Sequence, residues 1–455
     1  MSTVEEKYAA GKRLREAVPR SSHAEFERRS EVDPVAILLS QDEDRISSLV
    51  PVRHARMGES PYAFYRAGAK LMAADLATTP TTNLIVQASG DAHLANFGWY
   101  GSPERKLVFD ANDFDETLPA SFDWDLKRLV ASFVIACRDN GFDAGEREGT
   151  ARYCAEQYRD AMRSYASSGL LKVWYAHHSA QDVLDRLQKE WNKKERKKLV
   201  KGARKARGKD SRHVLGKLSE KEAGDFRIID DAPWIIPSRR LRDLIGVDPD
   251  EVRHSVGVAL SDYGTSLPDH VAFLYRQYEL VDVALKVVGV GSVGTRAYIA
   301  LLIGRTDDDP LFLQIKEASP SVLEDYFGAG PYANQGERVV QGQRLMQTVS
   351  DIFLGWTSGK LSHRDFCVRQ FKDMKASAMI EDYDVQRMKT YARACALTLA
   401  QSHARSGDPV AVTGYIGTGD VFSEAMTEFG VAYERQNAAD YEAFDARVGF
   451  PEATS

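Results

Sequence analysis

Residues 83–116 read NLIVQASGDAHLANFGWYGSPERKLVFDANDFDE, and this stretch decides the fold class. Its first apolar run predicts a short buried strand over residues 83–88, which ends at a Ser-Gly pair. A second short strand is predicted over residues 106–109, and an acidic run follows it directly at residues 110–116. Two polar clusters, each at the end of a strand, therefore predict one site built by two neighbouring loops.

The residue types in these clusters match what phosphoryl transfer from ATP requires. That reaction needs one carboxylate to accept or orient the proton of the acceptor hydroxyl, and it needs amide and carboxylate oxygens to hold Mg²⁺ against the phosphates. Asp91 and Asn96 lie five residues apart on the first loop and supply the first carboxylate and the amide. The second cluster supplies the metal carboxylate, for which the candidates are Asp110, Asp113 and Asp115.

The first loop resembles a known catalytic loop. The segment GDAHLAN at residues 90–96 is similar to the catalytic loop of the aminoglycoside phosphotransferase and choline kinase group, within the protein-kinase-like superfamily. In that group a metal-binding aspartate precedes a second Asp-Leu pair, and here Asp125-Leu126 lies twelve residues after Asp113. The resemblance implies that Asn96 and Asp113 bind the metal, with Asp110 and Asp115 as rivals to Asp113. The residues to which it gives catalytic-loop roles are Asp91, His93, Asp125 and Arg128.

A wider pattern resembles a second, larger family. The segments SPYAF at residues 60–64, NDFDET at residues 112–117 and WDLKRL at residues 124–129 are similar to motifs of the bacterial domain-of-unknown-function family 2252. This similarity runs from about residue 53 to residue 444. It implies family membership and brings no activity with it.

The same acidic residues also permit a different site. His93, Asp110, Asp113 and Asp115 are residue types that bind catalytic metal ions, so a metal-dependent hydrolase is the alternative for this part of the chain.

A glycine-rich segment lies about two hundred residues further along the chain. Residues 287–294 read VVGVGSVG, in which Gly289, Gly291 and Gly294 form a Gly-x-Gly-x-x-Gly pattern around Ser292. In a dinucleotide-binding unit a helix would follow these glycines, and the protein would be an NAD(P)-dependent enzyme. In a kinase-like fold the same glycines form a turn between two strands and cover the phosphates of ATP. The pattern of residues 296–303 favours a strand, and therefore the kinase-like alternative.

Lys316 is the predicted phosphate-binding cation. It ends a strand predicted over residues 311–316, and it resembles the kinase lysine that contacts the α- and β-phosphates. Kinases orient this lysine with a glutamate on a helix, for which Glu337 is the first candidate and Glu324 the second. The meander is predicted to begin with a strand over residues 285–290, and two further strands are predicted near residues 352–356 and 366–371.

The two groups of motifs occur in the reverse of the usual kinase order, which a circular permutation would explain. We therefore expect an α+β, two-lobed protein-kinase-like fold with the helical catalytic lobe first and the glycine-loop β lobe second. Residues 391–405 would then form the helix that ordinarily precedes the catalytic loop. The predicted units are a polar leader (1–59), the catalytic lobe (60–280), the nucleotide lobe (281–380) and C-terminal helices that pack back on the catalytic lobe (381–455). The catalytic lobe is expected to open with one helix over residues 60–76 and to be mostly helical from residue 142.

Composition narrows the functional classes. The net charge of −6 argues against a general nucleic-acid binder, and the basic run at residues 189–209 is expected to be a solvated helix and loop. The four cysteines form no Cys-x-x-Cys pair, the first residues form no secretory signal, and the longest apolar run is too short to span a bilayer. We therefore expect a cytoplasmic protein that does not bind membranes.

The predicted function is an ATP- and Mg²⁺-dependent phosphotransferase that acts on a small-molecule hydroxyl. Two alternatives on the same fold are an ATP-binding regulator without transfer activity and an enzyme that transfers AMP. The sequence leaves open the acceptor and the oligomeric state.

Overall fold

The computed structural model describes residues 2–176, 178–179, 211–222, 224–242, 246, 248–287, 289–359, 363–371, 374 and 376–451. The basic run at residues 189–209 lies outside these residues. The fold is a mixture of helices and strands, with several small sheets, which confirms the predicted α+β class.

The elements are numbered here in chain order. The helices are α1 Val4–Ala17, α2 Pro34–Ser40, α3 Val50–Met57, α4 Pro61–Ala67, α5 Ala69–Leu76, α6 Phe122–Asp139, α7 Ala144–Ala166, α8 Leu170–Tyr175, α9 Ser211–Leu218, α10 Pro249–Tyr263, α11 Asp269–Tyr275, α12 Glu324–Phe327, α13 Gln335–Met346, α14 Val385–Ser406, α15 Pro409–Ile416 and α16 Val421–Arg447. The strands are β1 Ile85–Ala88, β2 Phe97–Gly101, β3 Leu107–Ala111, β4 Leu118–Ser121, β5 His178–Ser179, β6 Ser219–Glu222, β7 Asp225–Ile228, β8 Ile235–Pro237, β9 Glu279–Lys286, β10 Ala297–Ile303, β11 Pro310–Ala318, β12 Gly355–Gly359, β13 Arg364–Gln370 and β14 Ala376–Ser377.

A six-stranded antiparallel sheet contains both the glycine turn and the lysine strand. Its strand order is β12-β13-β11-β10-β9-β8, so the turn between β9 and β10 lies beside β11. All positions of β11 are buried, as expected for a strand covered on both faces. Because side chains alternate along a strand, Leu313 and Ile315 pack in one apolar cluster, whereas Gln314 and Lys316 share the opposite face.

The strands around the first polar loop lie in two smaller sheets. β1 pairs with β4, and β2 and β3 pair within a four-stranded sheet of order β14-β2-β3-β5. Ala111 at the end of β3 lies opposite Phe97 at the start of β2. The two polar clusters are therefore neighbours, and the Asn112 amide donates a hydrogen bond to the Asn96 carbonyl at 2.8 Å.

The C-terminal helices return to the helices that follow the polar loops. α6 is buried along almost its whole length, α14 packs against both α6 and α7, and α16 packs against α6. At the other end of the chain, α1 packs against α15. Among the described residues, no helix combines the length and the apolar character needed to cross a membrane.

Several local expectations differ from the structure. The helix predicted over residues 60–76 is two helices, α4 and α5, because the chain turns at Gly68, where α4 ends. The first strand of the meander ends at Lys286 rather than at Val290, because Val290 is buried in an apolar cluster formed by α2, α4, α5 and α16. The segment predicted as mostly helical also contains β8, which pairs with β9 and extends the large sheet.

Candidate active site

The loop after β1 is shaped by a glycine that no other residue replaces easily. Gly90 has φ of +76°, and a Cβ atom built on it would lie 2.4 Å from the Glu116 carbonyl oxygen. This close approach packs the first polar loop, residues 89–96, against the second polar cluster, residues 110–116.

Asp91 lies on this loop, and hydrogen bonds from Arg128 fix one oxygen of its carboxylate. Arg128 donates to Asp91 Oδ1 from Nε at 2.9 Å and from Nη2 at 2.7 Å. Asn96 Nδ2 donates to the Asp91 carbonyl oxygen at 2.9 Å and approaches Asp91 Oδ2 at 3.4 Å. Burial raises the pKa of Asp91, and Arg128 only partly offsets that effect.

His93 serves the loop as a neutral imidazole. Its Nδ1 accepts a hydrogen bond from the Ala95 amide at 3.2 Å, and its Nε2 lies 3.7 Å from Asp91 Oδ2. Burial, followed by the charge of Arg128, lowers the pKa of His93 well below its ordinary value. A neutral His93 that accepts at Nδ1 carries its proton on Nε2, which lies 3.7 Å from Asp91 Oδ2.

Asp125 fixes the start of the same loop from α6. Its buried carboxylate accepts hydrogen bonds from the amides of Ser89 at 2.6 Å and Gly90 at 2.9 Å. His403 Nε2, from α14, lies 3.2 Å from Asp125 Oδ2, and His403 Nδ1 lies 2.8 Å from the Tyr158 hydroxyl. Both the following helix and the C-terminal helix α14 therefore hold the loop in place.

Lys316 faces the second polar cluster. Its Nζ forms an ion pair with Asp115 and lies 3.7 Å from Asp113 Oδ2. Burial lowers the pKa of Lys316, but Asp113 and Asp115 outweigh burial and leave that pKa above its ordinary value. The side chain is therefore charged at neutral pH.

Neither predicted glutamate partner forms an ion pair with Lys316. Glu337 stands in the first turn of α13, where its amide donates to the Asn334 side chain, and Glu324 Oε1 lies 3.8 Å from Arg338 Nε. Within the described residues, the ion pairs of Lys316 are those with Asp115 and Asp113. Asp113 and Asp115 therefore lie beside Lys316, in the position that was predicted for a helix glutamate.

Asp110 is separated from the other metal candidates. Its carboxylate points toward the end of α13, where it accepts hydrogen bonds from the amides of Ala111 at 2.8 Å and Thr348 at 3.2 Å. It contributes to neither of the two cavities beside the polar loops. Burial raises the pKa of Asp110 to about 7.

The metal-hydrolase alternative gains no support from this geometry. Across the described residues, no three His, Cys, Asp or Glu side chains are grouped to hold a metal ion. Asn96 and Asp113 do line one cavity together, and Asn96 donates hydrogen bonds to Asp91 through Nδ2, so Oδ1 is the side-chain atom of Asn96 with which it could bind a metal ion. One amide oxygen and one carboxylate suit Mg²⁺, which takes its remaining ligands from phosphates and water.

The glycine turn is held by the segment that precedes α3. Arg45 Nη2 donates to the Gly291 carbonyl at 2.8 Å, and Arg45 Nη1 donates to the Val293 carbonyl. The Ile46 amide donates to the Gly294 carbonyl at 2.8 Å. After Gly294 the chain forms strand β10 rather than a helix, so the arrangement that a dinucleotide-binding unit requires is absent from these residues.

Two adjoining cavities lie between the glycine turn and the polar loops. The larger, of about 830 Å³, includes Lys316, Gln314 and Arg369 in its wall. The smaller, of about 420 Å³, includes Asp91 and Asn96. The residues that line both cavities are Arg66, Asp113, Gly289 and Ser292. The structure therefore brings together most of the residues that the sequence predicts.

Several residues of this region have no signal in the sequence. Arg338, on α13, donates to the carbonyls of Thr117 at 2.7 Å and Asp115 at 2.8 Å. Arg369 donates from Nη1 to the Asn112 carbonyl at 3.0 Å. These contacts join segments more than two hundred residues apart, which a local pattern does not reveal.

Comparison with known proteins gives one match. Residues 45–447 match the model of a family described as "Uncharacterized protein conserved in bacteria (DUF2252)". No curated protein and no solved structure matches the chain.

Proposed function

We propose that this chain, which belongs to the bacterial family DUF2252, is an ATP- and Mg²⁺-dependent phosphotransferase that acts on a small-molecule hydroxyl. One observation carries the proposal. Asp91, Asn96, Asp113, Lys316 and the glycine turn, predicted separately from distant parts of the sequence, line two cavities that meet. A nucleotide in one cavity and an acceptor in the other would place the phosphoryl group where the cavities join.

The larger cavity suits the nucleotide. Its volume of about 830 Å³ lies within the range of small-molecule sites, which is roughly 300–1,000 Å³. Lys316 and Arg369 supply positive charge on its wall, and Gly289 and Ser292 of the glycine turn line it as well. A lysine on a stiff strand neutralises phosphate charge without needing a specific geometry.

The smaller cavity suits the acceptor, because it contains Asp91. Arg128 donates only to Asp91 Oδ1, so Oδ2, which has the longer 3.4 Å contact from Asn96 Nδ2, is the oxygen that would receive the acceptor proton. Asn96 and Asp113 are the residues that would hold Mg²⁺, and the metal would neutralise charge on the phosphates.

The order of elements supports a permuted kinase-like fold. The glycine turn, the lysine strand, the helix α13 and the strand pair β12–β13 follow one another along the chain and contribute to one sheet and its covering helix. From α14, Tyr391 donates its hydroxyl proton to the carbonyls of Leu94 at 2.8 Å and Phe97 at 2.9 Å. This contact suits a C-terminal helix that stands in the place of the helix before the catalytic loop.

A second candidate is an ATP-binding regulator without transfer activity. Lys316 is paired with Asp115 and Asp113 rather than with a glutamate of α13, and this pairing favours the regulator. Such a protein would bind ATP and show no turnover that depends on Asp91. AMP transfer would instead release pyrophosphate, so analysis of the products separates all three activities.

Thermal unfolding with ATP plus Mg²⁺, compared with NAD(P), tests the proposal first. A ligand at one hundred times its dissociation constant stabilises the folded state by about 2.7 kcal/mol. We expect a Mg²⁺-dependent shift with ATP that weakens in Lys316→Ala and persists in Lys12→Ala, a change at an exposed lysine on α1. An unfolding temperature that responds to NAD(P) and not to ATP would refute the proposal.

A further inference from the structure

Arg66, at the end of α4, stands where the two cavities meet. It lines both of them, together with Asp113, Gly289 and Ser292. The glycine turn runs directly over it, since a Cβ atom built on Gly291 would lie 3.4 Å from the Arg66 carbonyl oxygen. The Arg66 side chain therefore belongs to the boundary between the proposed nucleotide and acceptor positions.

The Nε atom of Arg66 is a buried donor for which the described residues supply no partner. Within the described part of the chain the guanidinium also forms no ion pair. The other two cationic side chains that line the smaller cavity are already bonded, Arg45 to carbonyls of the glycine turn and Lys70 to the Ser40 hydroxyl at 3.1 Å. Lys316, in the larger cavity, is paired with aspartates.

Arg66 is partly buried, and a buried donor without a hydrogen-bond partner costs free energy. An anionic ligand at the junction would remove that cost. The planar guanidinium has five donors and suits the oxygens of a phosphoryl group better than a lysine does.

We infer that Arg66 is a catalytic residue that donates hydrogen bonds to the phosphoryl group during its transfer, an inference that rests on the proposed function. In this step the acceptor oxygen forms a bond to the γ-phosphorus, and the bond from that phosphorus to the β–γ bridging oxygen breaks. The electron pair leaves with ADP, and the acceptor proton moves to Asp91. Arg66 gains and loses no proton; it stabilises the charge on the non-bridging oxygens. Arginines in this role increase kcat by about 10³ to 10⁵.

The test compares a mimic of the transferred group with the nucleotide alone. Fluoroaluminate beside ADP and Mg²⁺ imitates a planar phosphoryl group in transit, and analogues of transition states bind more tightly than ground-state ligands. The full-length protein is titrated calorimetrically with ADP–Mg²⁺, with and without fluoroaluminate, as wild type, Arg66→Gln and Arg66→Lys. Arg163→Gln, at an exposed position on α7, is the matched control.

We expect fluoroaluminate to increase ADP affinity in the wild type and in Arg163→Gln. In Arg66→Gln the increase in ADP affinity caused by fluoroaluminate should be at least about tenfold smaller than in the wild type, and the affinity for ADP alone should change less than about twofold. In Arg66→Lys this increase should lie between those of the wild type and Arg66→Gln. The unfolding temperature of the ligand-free Arg66 variants should stay unchanged or rise, because no partner is lost. A purely structural arginine would lower it instead.

Other results overturn the inference in distinguishable ways. If Arg66→Gln keeps the full fluoroaluminate increase, Arg66 does not contact the phosphoryl group, and the proposed function stands. If the wild type binds ADP and fluoroaluminate does not increase its ADP affinity, the inference about Arg66 also fails and the proposed function stands. If the wild type binds neither ADP nor ATP in the presence of Mg²⁺, the proposed function fails together with the inference.

Discussion

Arg128 donates two hydrogen bonds to a single oxygen of Asp91, from Nε at 2.9 Å and from Nη2 at 2.7 Å. The guanidinium is itself held by Tyr65, whose ring centre lies 3.9 Å from the Arg128 Cζ atom and whose carbonyl accepts from Nη2 at 3.0 Å. Arg128 donates only to Oδ1, whereas Oδ2 lies 3.4 Å from Asn96 Nδ2, and Asp91 lines the smaller cavity.

Substitution of Asp91 by Asn should separate chemistry from nucleotide binding. The amide keeps the size of the side chain and cannot accept the acceptor proton, so turnover should fall by about 10² to 10⁴. Stabilisation by ATP plus Mg²⁺ should change little, because Asp91 lies in the smaller cavity. Product release from ATP and thermal unfolding provide the two measurements. Turnover equal to that of the wild type would exclude Asp91 as the base.

Substitution of Arg128 by Met should destabilise the fold. It removes one partner of a largely buried ion pair and leaves Asp91 uncompensated, which typically costs about 3–5 kcal/mol. Urea denaturation measures the change. Arg447→Met is the control, since Arg447 and Asp33 form an ion pair at 2.6 Å with both side chains about half exposed. Its loss should cost much less than the loss of the Arg128–Asp91 pair, because exposed ion pairs contribute little to stability. Equal losses in the two variants would contradict the structural role of Arg128.

Substitution of Gly90 by Ala should lower the free energy of unfolding by more than the strain of a positive φ alone explains. Gly141 has φ of +77° with open space around it, so Gly141→Ala should lose about 1–2 kcal/mol of stability. Gly90→Ala meets the same penalty and also forces a Cβ atom against the Glu116 carbonyl oxygen, 2.4 Å away, which adds about 1–3 kcal/mol. Denaturation of both variants measures the difference. A smaller loss at Gly90 than at Gly141 would mean that the two polar loops are not packed together.

Asp110 should make stability depend on pH. Burial raises its pKa from the ordinary 3.8 to about 7, so the folded state binds its proton more tightly than the unfolded state does. Stability therefore falls as pH rises from about 4 to 7 and is constant with respect to this group above that range. Asp110→Asn cannot ionise, and it keeps one of the two oxygens that accept hydrogen bonds from the Ala111 and Thr348 amides.

Between pH 5 and pH 8, the free energy of unfolding of Asp110→Asn should rise by about 2–3 kcal/mol relative to that of the wild type. Denaturation of both proteins at the two pH values measures this gain. A stability difference that is independent of pH would show that Asp110 does not retain its proton in the folded state. Retained or lost ATP-dependent stabilisation in the same variant tests whether Asp110 is the metal ligand.

Local sequence determined the elements that carry the candidate site. The glycine and the polar side chains within residues 89–96 predict the loop after β1. The short, mostly apolar run at residues 311–316 predicts the strand that presents Lys316. Ser60 accepts a hydrogen bond from the Ala63 amide at 3.1 Å, as a helix-capping serine should. These features depend on neighbours within a few residues, and so their patterns can be recognised in the sequence.

Tertiary structure alone decided which polar groups meet. His403 contacts Asp125, which lies 278 residues away in the sequence, and Lys316 forms an ion pair with Asp115 instead of a glutamate of α13. Asp110 accepts a hydrogen bond from Thr348 and lies apart from the other acidic residues of its cluster. Arg66 acquires its position only when α4, the glycine turn and the second polar loop pack together. The physical reason is that hydrogen bonds and ion pairs act over a few ångströms, and only the packing of distant helices and strands brings these groups within that distance.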